Sequence, residues 1–78
     1  MEYFTAICPR KARVYIDGSY QGENKEGETL HVFQCSAGLH DISLECEKDK
    51  ASRRLTQRVM ISGTTGISPL QLHFLFEL

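Results

Sequence analysis

A chain of 78 residues has room for one domain, since an independent core needs roughly 50 residues or more. Nine Lys and Arg against ten Asp and Glu leave a formal net charge of −1, so no overall field gathers phosphates or anionic lipid, and nucleic acid is not an expected partner. No window approaches the ~20 apolar residues of a bilayer-crossing helix, so membrane insertion is not expected either.

The N-terminal run from Met1 to Pro9 has no basic start and no apolar stretch of secretory length. Cys8, Cys35 and Cys46 form an odd set without a close pair, the pattern of free thiols in a reducing compartment and not of a disulfide framework. The expected location is the cytoplasm, with an exported module whose signal lies outside this sequence as the alternative.

No stretch keeps a helical period; short alternating runs bounded by Gly, Pro, Asp and Ser recur roughly every ten residues, the rhythm of antiparallel strands. Glu2 to Cys8 is the first. Pro9 cannot donate to a ladder, which ends that strand or places it at a sheet edge. Ala12, Val14 and Ile16 then share one face of a second strand, with Arg13, Tyr15 and Asp17 on the other. Asp17-Gly18 is a hairpin turn, because both residues tolerate positive φ, and Ser19 to Gly22 is the return strand.

Glu23 to Glu28 is polar with nothing to bury, so a mobile surface loop is predicted there. Thr29 to Cys35 is β-rich, Ser36-Ala37-Gly38 turns, and Leu39 to Cys46 alternates, with His40, Ile42, Leu44 and Cys46 inward. A charged loop from Glu47 to Ser52 leads into Arg53 to Ile61, where Leu55, Gln57, Val59 and Ile61 share a face. Ser62 to Pro69 is turn-rich. The last strand, Leu70 to Leu78, places Leu70, Leu72, Phe74, Phe76 and Leu78 on one face. The expected fold is therefore all-β: a small antiparallel β-sandwich, or partly open barrel, of six to seven strands in one domain over residues 1–78.

The run Arg13-Val14-Tyr15-Ile16-Asp17-Gly18-Ser19-Tyr20-Gln21-Gly22, followed by Ser36-Ala37-Gly38-Leu39-His40-Asp41-Ile42-Ser43-Leu44, resembles the PEGA domain. That family has an Asp-Gly turn, a second Gly soon after, and an Ala-Gly or Pro-Gly turn opening a strand with His or an aromatic two places on. The resemblance covers roughly residues 12–62. It departs from the family where Glu23 to Glu28 replaces the usual Thr-Pro. It implies a non-catalytic sandwich module.

Three Cys and three His suggest zinc, but the spacing argues against a metal site. Structural zinc sites draw on close pairs such as Cys-x-x-Cys. Cys35 and His40 can meet only across a turn, and Cys46 lies roughly 20 Å along the strand from His40. No orienting third group or pocket accompanies the Cys35–His40 pair, so neither an enzyme nor a cofactor is expected. His31 and His73 read as peripheral polar residues. The two basic clusters, Arg10, Lys11, Arg13 and Arg53, Arg54, Arg58, read as solvated charge that discourages edge pairing.

The last strand carries the favoured function. Leu75 adds an apolar group opposite Phe74 and Phe76, a liability for an edge strand unless another chain covers it. The expected partner surface is therefore Leu70, Leu72, Phe74, Leu75, Phe76 and Leu78, docking a protein or a second copy in a homo-oligomer. The alternative is a small-ligand or carbohydrate site using Tyr15 and Tyr20, whose rings can stack on sugars.

Overall fold

A computed structural model of the chain describes residues 1–48 and 51–75. Its strands are β1 (Glu2–Ile7), β2 (Arg13–Ile16), β3 (Ser19–Glu23), β4 (Lys25–Glu26), β5 (Thr29–Leu30), β6 (Phe33–Cys35), β7 (Gly38–Lys48), β8 (Ala51–Ile61) and β9 (Leu70–His73). They form a three-stranded sheet in the order β6-β1-β9, a four-stranded sheet in the order β3-β2-β7-β8, and the two-stranded pair β4-β5. The fold is all-β and built as a small sandwich, and the sheets do not close into a barrel.

Alternation builds the core between the two larger sheets. Phe4 and Ala6 of β1, Phe33 and Cys35 of β6, and Leu72 of β9 with the adjoining Phe74 are buried from one side. Val14 of β2, Ile42, Leu44 and Cys46 of β7, and Ile61 of β8 are buried from the other. The rings of Phe4 and Phe33 stack with centroids 5.3 Å apart. The expected inward set of β7 is thus found, with His40 at its rim. On β8, an edge strand, Leu55 remains 37% exposed although it shares the inward face.

The Asp17-Gly18 hairpin forms as expected. Ile16 pairs with Ser19, and the two residues between them have φ of 49° and 86°, as a two-residue turn matching strand twist requires. A register shift between Val14 and Tyr15 then lets Val14 pair with Gly22 and Tyr15 with Tyr20, leaving Gln21 as a bulge. The β7–β8 hairpin pairs from Gly38 and Ile61 out to Lys48 and Ala51, further than the predicted loop boundaries.

Three expectations change. First, β1 is the central strand of its sheet, not an edge. Pro9 lies beyond the end of the strand, so its missing N–H interrupts no ladder. Second, β9 runs parallel to β1, pairing Phe4 with Leu70 through Ile7 with His73. The turn-rich 62–69 segment returns the chain to make this possible, and the side chain of Glu2 anchors it: its carboxylate accepts from Thr64 N at 2.8 Å and Thr64 Oγ1 at 2.7 Å.

Third, Glu23 to Glu28 is not a structureless loop. β3 extends to Glu23, and Lys25–Glu26 pairs with Thr29–Leu30. Between these strands Asn24 is fully buried and every polar group it has is used. Its backbone N–H donates to Ala12 O at 2.9 Å, and its carbonyl accepts from His31 N at 3.0 Å. Its side-chain Oδ1 accepts from Ala12 N at 2.8 Å, while Nδ2 donates to Arg10 O at 3.2 Å and Cys8 Sγ at 3.4 Å. Composition pointed outward here; the amide is buried because the backbone of the β1–β2 link has donors and acceptors that only a fixed polar side chain satisfies.

Replacing Asn24 with Ala strands the buried Ala12 N–H, a cost of about 1–3 kcal/mol, while the Arg10 carbonyl keeps the Cys8 S–H. A domain of this size has a margin of only ~3–5 kcal/mol. Asn24→Ala is therefore expected to lose a substantial part of its urea resistance, whereas the exposed Glu28→Ala stays within about 0.5 kcal/mol of the parent. Chemical denaturation followed by circular dichroism measures both.

Candidate functional site

The outer face of the four-stranded sheet follows from strand register. Arg13 of β2 and Arg54 of β8 flank Glu45 of β7, while Arg58 stands opposite Asp41. The resulting ion pairs are Arg13 Nη2 to Glu45 at 3.2 Å and to Glu47 at 3.1 Å, Arg54 Nε to Glu45 at 3.8 Å, and Arg58 Nε to Asp41 at 3.2 Å. Both basic clusters therefore contribute to cross-strand pairing with β7. Such exposed pairs contribute little stability each, roughly 0–1 kcal/mol, and chiefly fix side-chain positions. Leu39 and Met60 pair across β7 and β8 at the other end, both exposed.

Tyr15 and Tyr20 come together within this face, with centroids 5.6 Å apart and rings at 59°. They are not equivalent. The Arg54 guanidinium lies 4.2 Å over the Tyr15 ring, a cation–π contact, and Tyr15 Oη donates to Glu45 at 3.3 Å. Tyr15 is thereby engaged by its own sheet. Tyr20 is 56% exposed and forms part of the wall of an open cleft of about 430 Å³ with Lys11, Arg13, Glu23, Glu45 and Glu47. The charges there are matched, Lys11 with Glu23 at 3.6 Å and Arg13 with the two glutamates.

The expected partner surface divides in the same way. Leu72 and Phe74 lie inside the domain's own core, and Leu70 is half-buried against it. Leu75 is 81% exposed. Phe76 and Leu78 lie outside the described residues. Phe74 N donates to Ile7 O at 2.8 Å, so the polar backbone groups of Leu70, Leu72 and Phe74 turn toward β1. Those of Gln71 and His73 turn to the outer edge, because successive residues of a strand bond to opposite sides. One of these edge groups is taken: Gln57 Nε2 of β8 donates to His73 O at 2.6 Å.

The three thiols are free and buried. Burial pushes the Cys8 thiol above its ordinary range, and its S–H donates to Arg10 O at 2.7 Å. Burial raises Cys35 as well, with the nearby Glu2 and Asp17 carboxylates acting in the same direction. His40 is committed elsewhere. Its Nδ1 lies 2.7 Å from Asp17 Oδ2 and its Nε2 2.8 Å from Ser36 O, so neither nitrogen is left to take a proton from Cys35. Among the described residues no group of three or more His, Cys, Asp or Glu is arranged to hold a metal. No described helix is long and apolar enough to cross a membrane. His31 Nδ1 donates to Glu23 O at 2.8 Å and so holds the chain beside Asn24; His73 is exposed.

No family model matches the sequence, and comparison with characterised proteins and with solved structures gives no match. The resemblance of residues 12–62 to the PEGA domain therefore stands on its two turns and their flanking strands alone.

Burial shields all three thiols from reagent and holds Cys8 and Cys35 further from the thiolate, which is the nucleophile. Native protein at pH 7 is expected to resist iodoacetamide at all three cysteines and to be modified at all three in strong urea, as read by intact mass. Prompt native labelling of Cys35 would contradict its placement and reopen a nucleophilic role for it.

Proposed function

We propose that this domain is a non-catalytic interaction module that docks a protein, or a second copy of itself, through the outer edge and exposed end of β9. Leu75 is the observation that carries the reading. It sits at 81% exposure directly after Phe74, which is buried and bonded to β1. An apolar side chain next to an anchored residue loses less conformational entropy on docking than one on a free tail. Beside it, the outward N–H groups of Gln71 and His73 offer a short ladder for an added strand, the mode in which backbone bonds supply affinity and side chains specificity. The Gln57 amide on His73 O exchanges for a backbone donor when such a strand arrives. A PEGA-like centre over residues 12–62 agrees with a binding role, and the free thiols agree with a reducing, cytoplasmic setting.

Tyr20 supports a second reading. Its exposed ring on the wall of the charged cleft suits a small polar ligand, such as a sugar, that stacks on the ring and bonds to the glutamates. Tyr15 supports that ring from behind.

Light scattering across a concentration series tests the first reading, with pull-down of a co-purifying protein as its second arm. Leu75→Glu is expected to weaken association at least tenfold, about 1.4 kcal/mol, with an unchanged melting temperature because the side chain is exposed. A strict monomer at high concentration eliminates self-docking. Retention of a captured partner by Leu75→Glu eliminates β9 as the contact. A ligand-induced thermal shift that disappears in Tyr20→Ala would instead favour the cleft.

A further inference from the structure

The contact between His40 and the two turns around it is assembled more fully than a hairpin needs. His40 is the third residue of β7, and its side chain is only 11% exposed. Nδ1 faces Asp17 Oδ2 at 2.7 Å in the β2–β3 turn, and Nε2 faces Ser36 O at 2.8 Å in the β6–β7 turn. Both partners are acceptors, so both ring nitrogens must carry hydrogen, and only the imidazolium does. Ser36 Oγ lies 3.4 Å from the same Nε2. That hydroxyl can donate to a bare nitrogen.

We propose that Asp17, His40 and Ser36 form a proton-operated latch between the two turns, in which His40 exchanges the Ser36 carbonyl for the Ser36 hydroxyl when its ring loses a proton. The proton leaves Nε2, because Nδ1–H faces a carboxylate and that bond is charge-assisted. The Nε2 lone pair then opposes the carbonyl lone pairs at 2.8 Å, while the hydroxyl must approach from 3.4 Å to roughly 2.8 Å to donate. The Ser36–Ala37 peptide turns to satisfy both demands. Asp17 does not follow. Its Oδ1 accepts from Asp41 N at 2.8 Å, and its own N–H donates to Asp41 O at 2.8 Å.

The surrounding charges set the direction. Asp17 acts on the ring from the β2–β3 turn. Asp41, next to it on β7, engages Arg58 of β8, and Arg58 also acts on Asp17. Glu2 of β1 lies near Cys35 of β6. Against partial burial, the Asp17 bond and the Ser36 carbonyl hold His40 above its ordinary 6.5. The Asp41 amide and the His40 ring hold Asp17 below its ordinary 3.8. The raised histidine contributes stability that is complete below 6.5 and is lost as pH rises through its folded value. The lowered aspartate contributes stability that is complete above 3.8 and is lost as pH falls through its folded value. The latch is therefore fully closed between these limits and opens first on the alkaline side.

NMR of the full chain between pH 5 and 9 tests this. The His40 ring is expected to titrate above 6.5, with the Ser36, Ala37 and Gly38 amides shifting at the same midpoint and losing that shift in His40→Gln. Ser36→Ala, at an exposed site, removes the donor for the neutral ring and is expected to raise the midpoint further; Asp17→Asn is expected to lower it. Amides that stay still while the ring titrates overturn the proposal, as does a midpoint that Ser36→Ala leaves unchanged or lowers.

Discussion

A sandwich whose sheets exchange strands must carry backbone across the gap between them, and here two such crossings meet at one buried amide. The chain leaves the three-stranded sheet after β1 to begin β2, and leaves the four-stranded sheet after β3 to reach β6. Asn24 bonds to Cys8, Arg10 and Ala12 of the first crossing and to His31 of the second. Without it, polar backbone at the margin of the core would lie away from water and unpaired. The position of β2 follows from this bond set, and with it the register that places Arg13 and Tyr15 on the outer face.

The same device recurs where the core is too small to hold a connection by apolar contact. Glu2 receives Thr64 at the start of β1, where the 62–69 segment returns, and Asp17 with His40 ties the β2–β3 turn to the β6–β7 turn. Each is a side chain bonded to distant backbone or to another side chain across a turn. Such bonds are directional and fix where the connections lie, which a few buried Phe, Leu and Ile residues do not, since hydrophobic attraction is non-directional.

Local period and turn chemistry were legible in the residues themselves. Alternation through 39–46 identified the buried Ile42, Leu44 and Cys46, and Asp17-Gly18 identified its own turn. The errors arose where a distant segment decided the outcome. Asn24 sits in a polar run and gives no periodic signal; its burial depends on donors and acceptors more than ten residues away. Parallel pairing of β9 with β1 joins the two ends of the chain, which no local pattern encodes. Tyr15 read as free because Arg54, which covers it, lies on β8 and reaches it only across β7. Leu72 and Phe74 read as a partner surface, although an apolar stripe of period two is first of all what a strand turns toward its own core.

The edges of the two sheets explain why β9 remains the contact to favour once Leu72 and Phe74 are assigned inward. An unprotected edge invites pairing, and proteins suppress it with charge, bulges or shortness. β8 carries Arg53, Arg54 and Arg58 along its exposed edge, which a second strand would have to desolvate. β3 is bent by the bulge at Gln21 and contains Gly22. β6 has only three residues. Among the described residues the run from Leu70 to Leu75 has no Asp, Glu, Lys or Arg, no proline and no bulge, and its sole guard is the Gln57 amide on His73 O. A neutral amide on a movable side chain is a weak barrier beside three guanidinium groups. The edge that lacks the usual protection is also the one followed by the exposed Leu75, and these two features together argue for occupation by another strand.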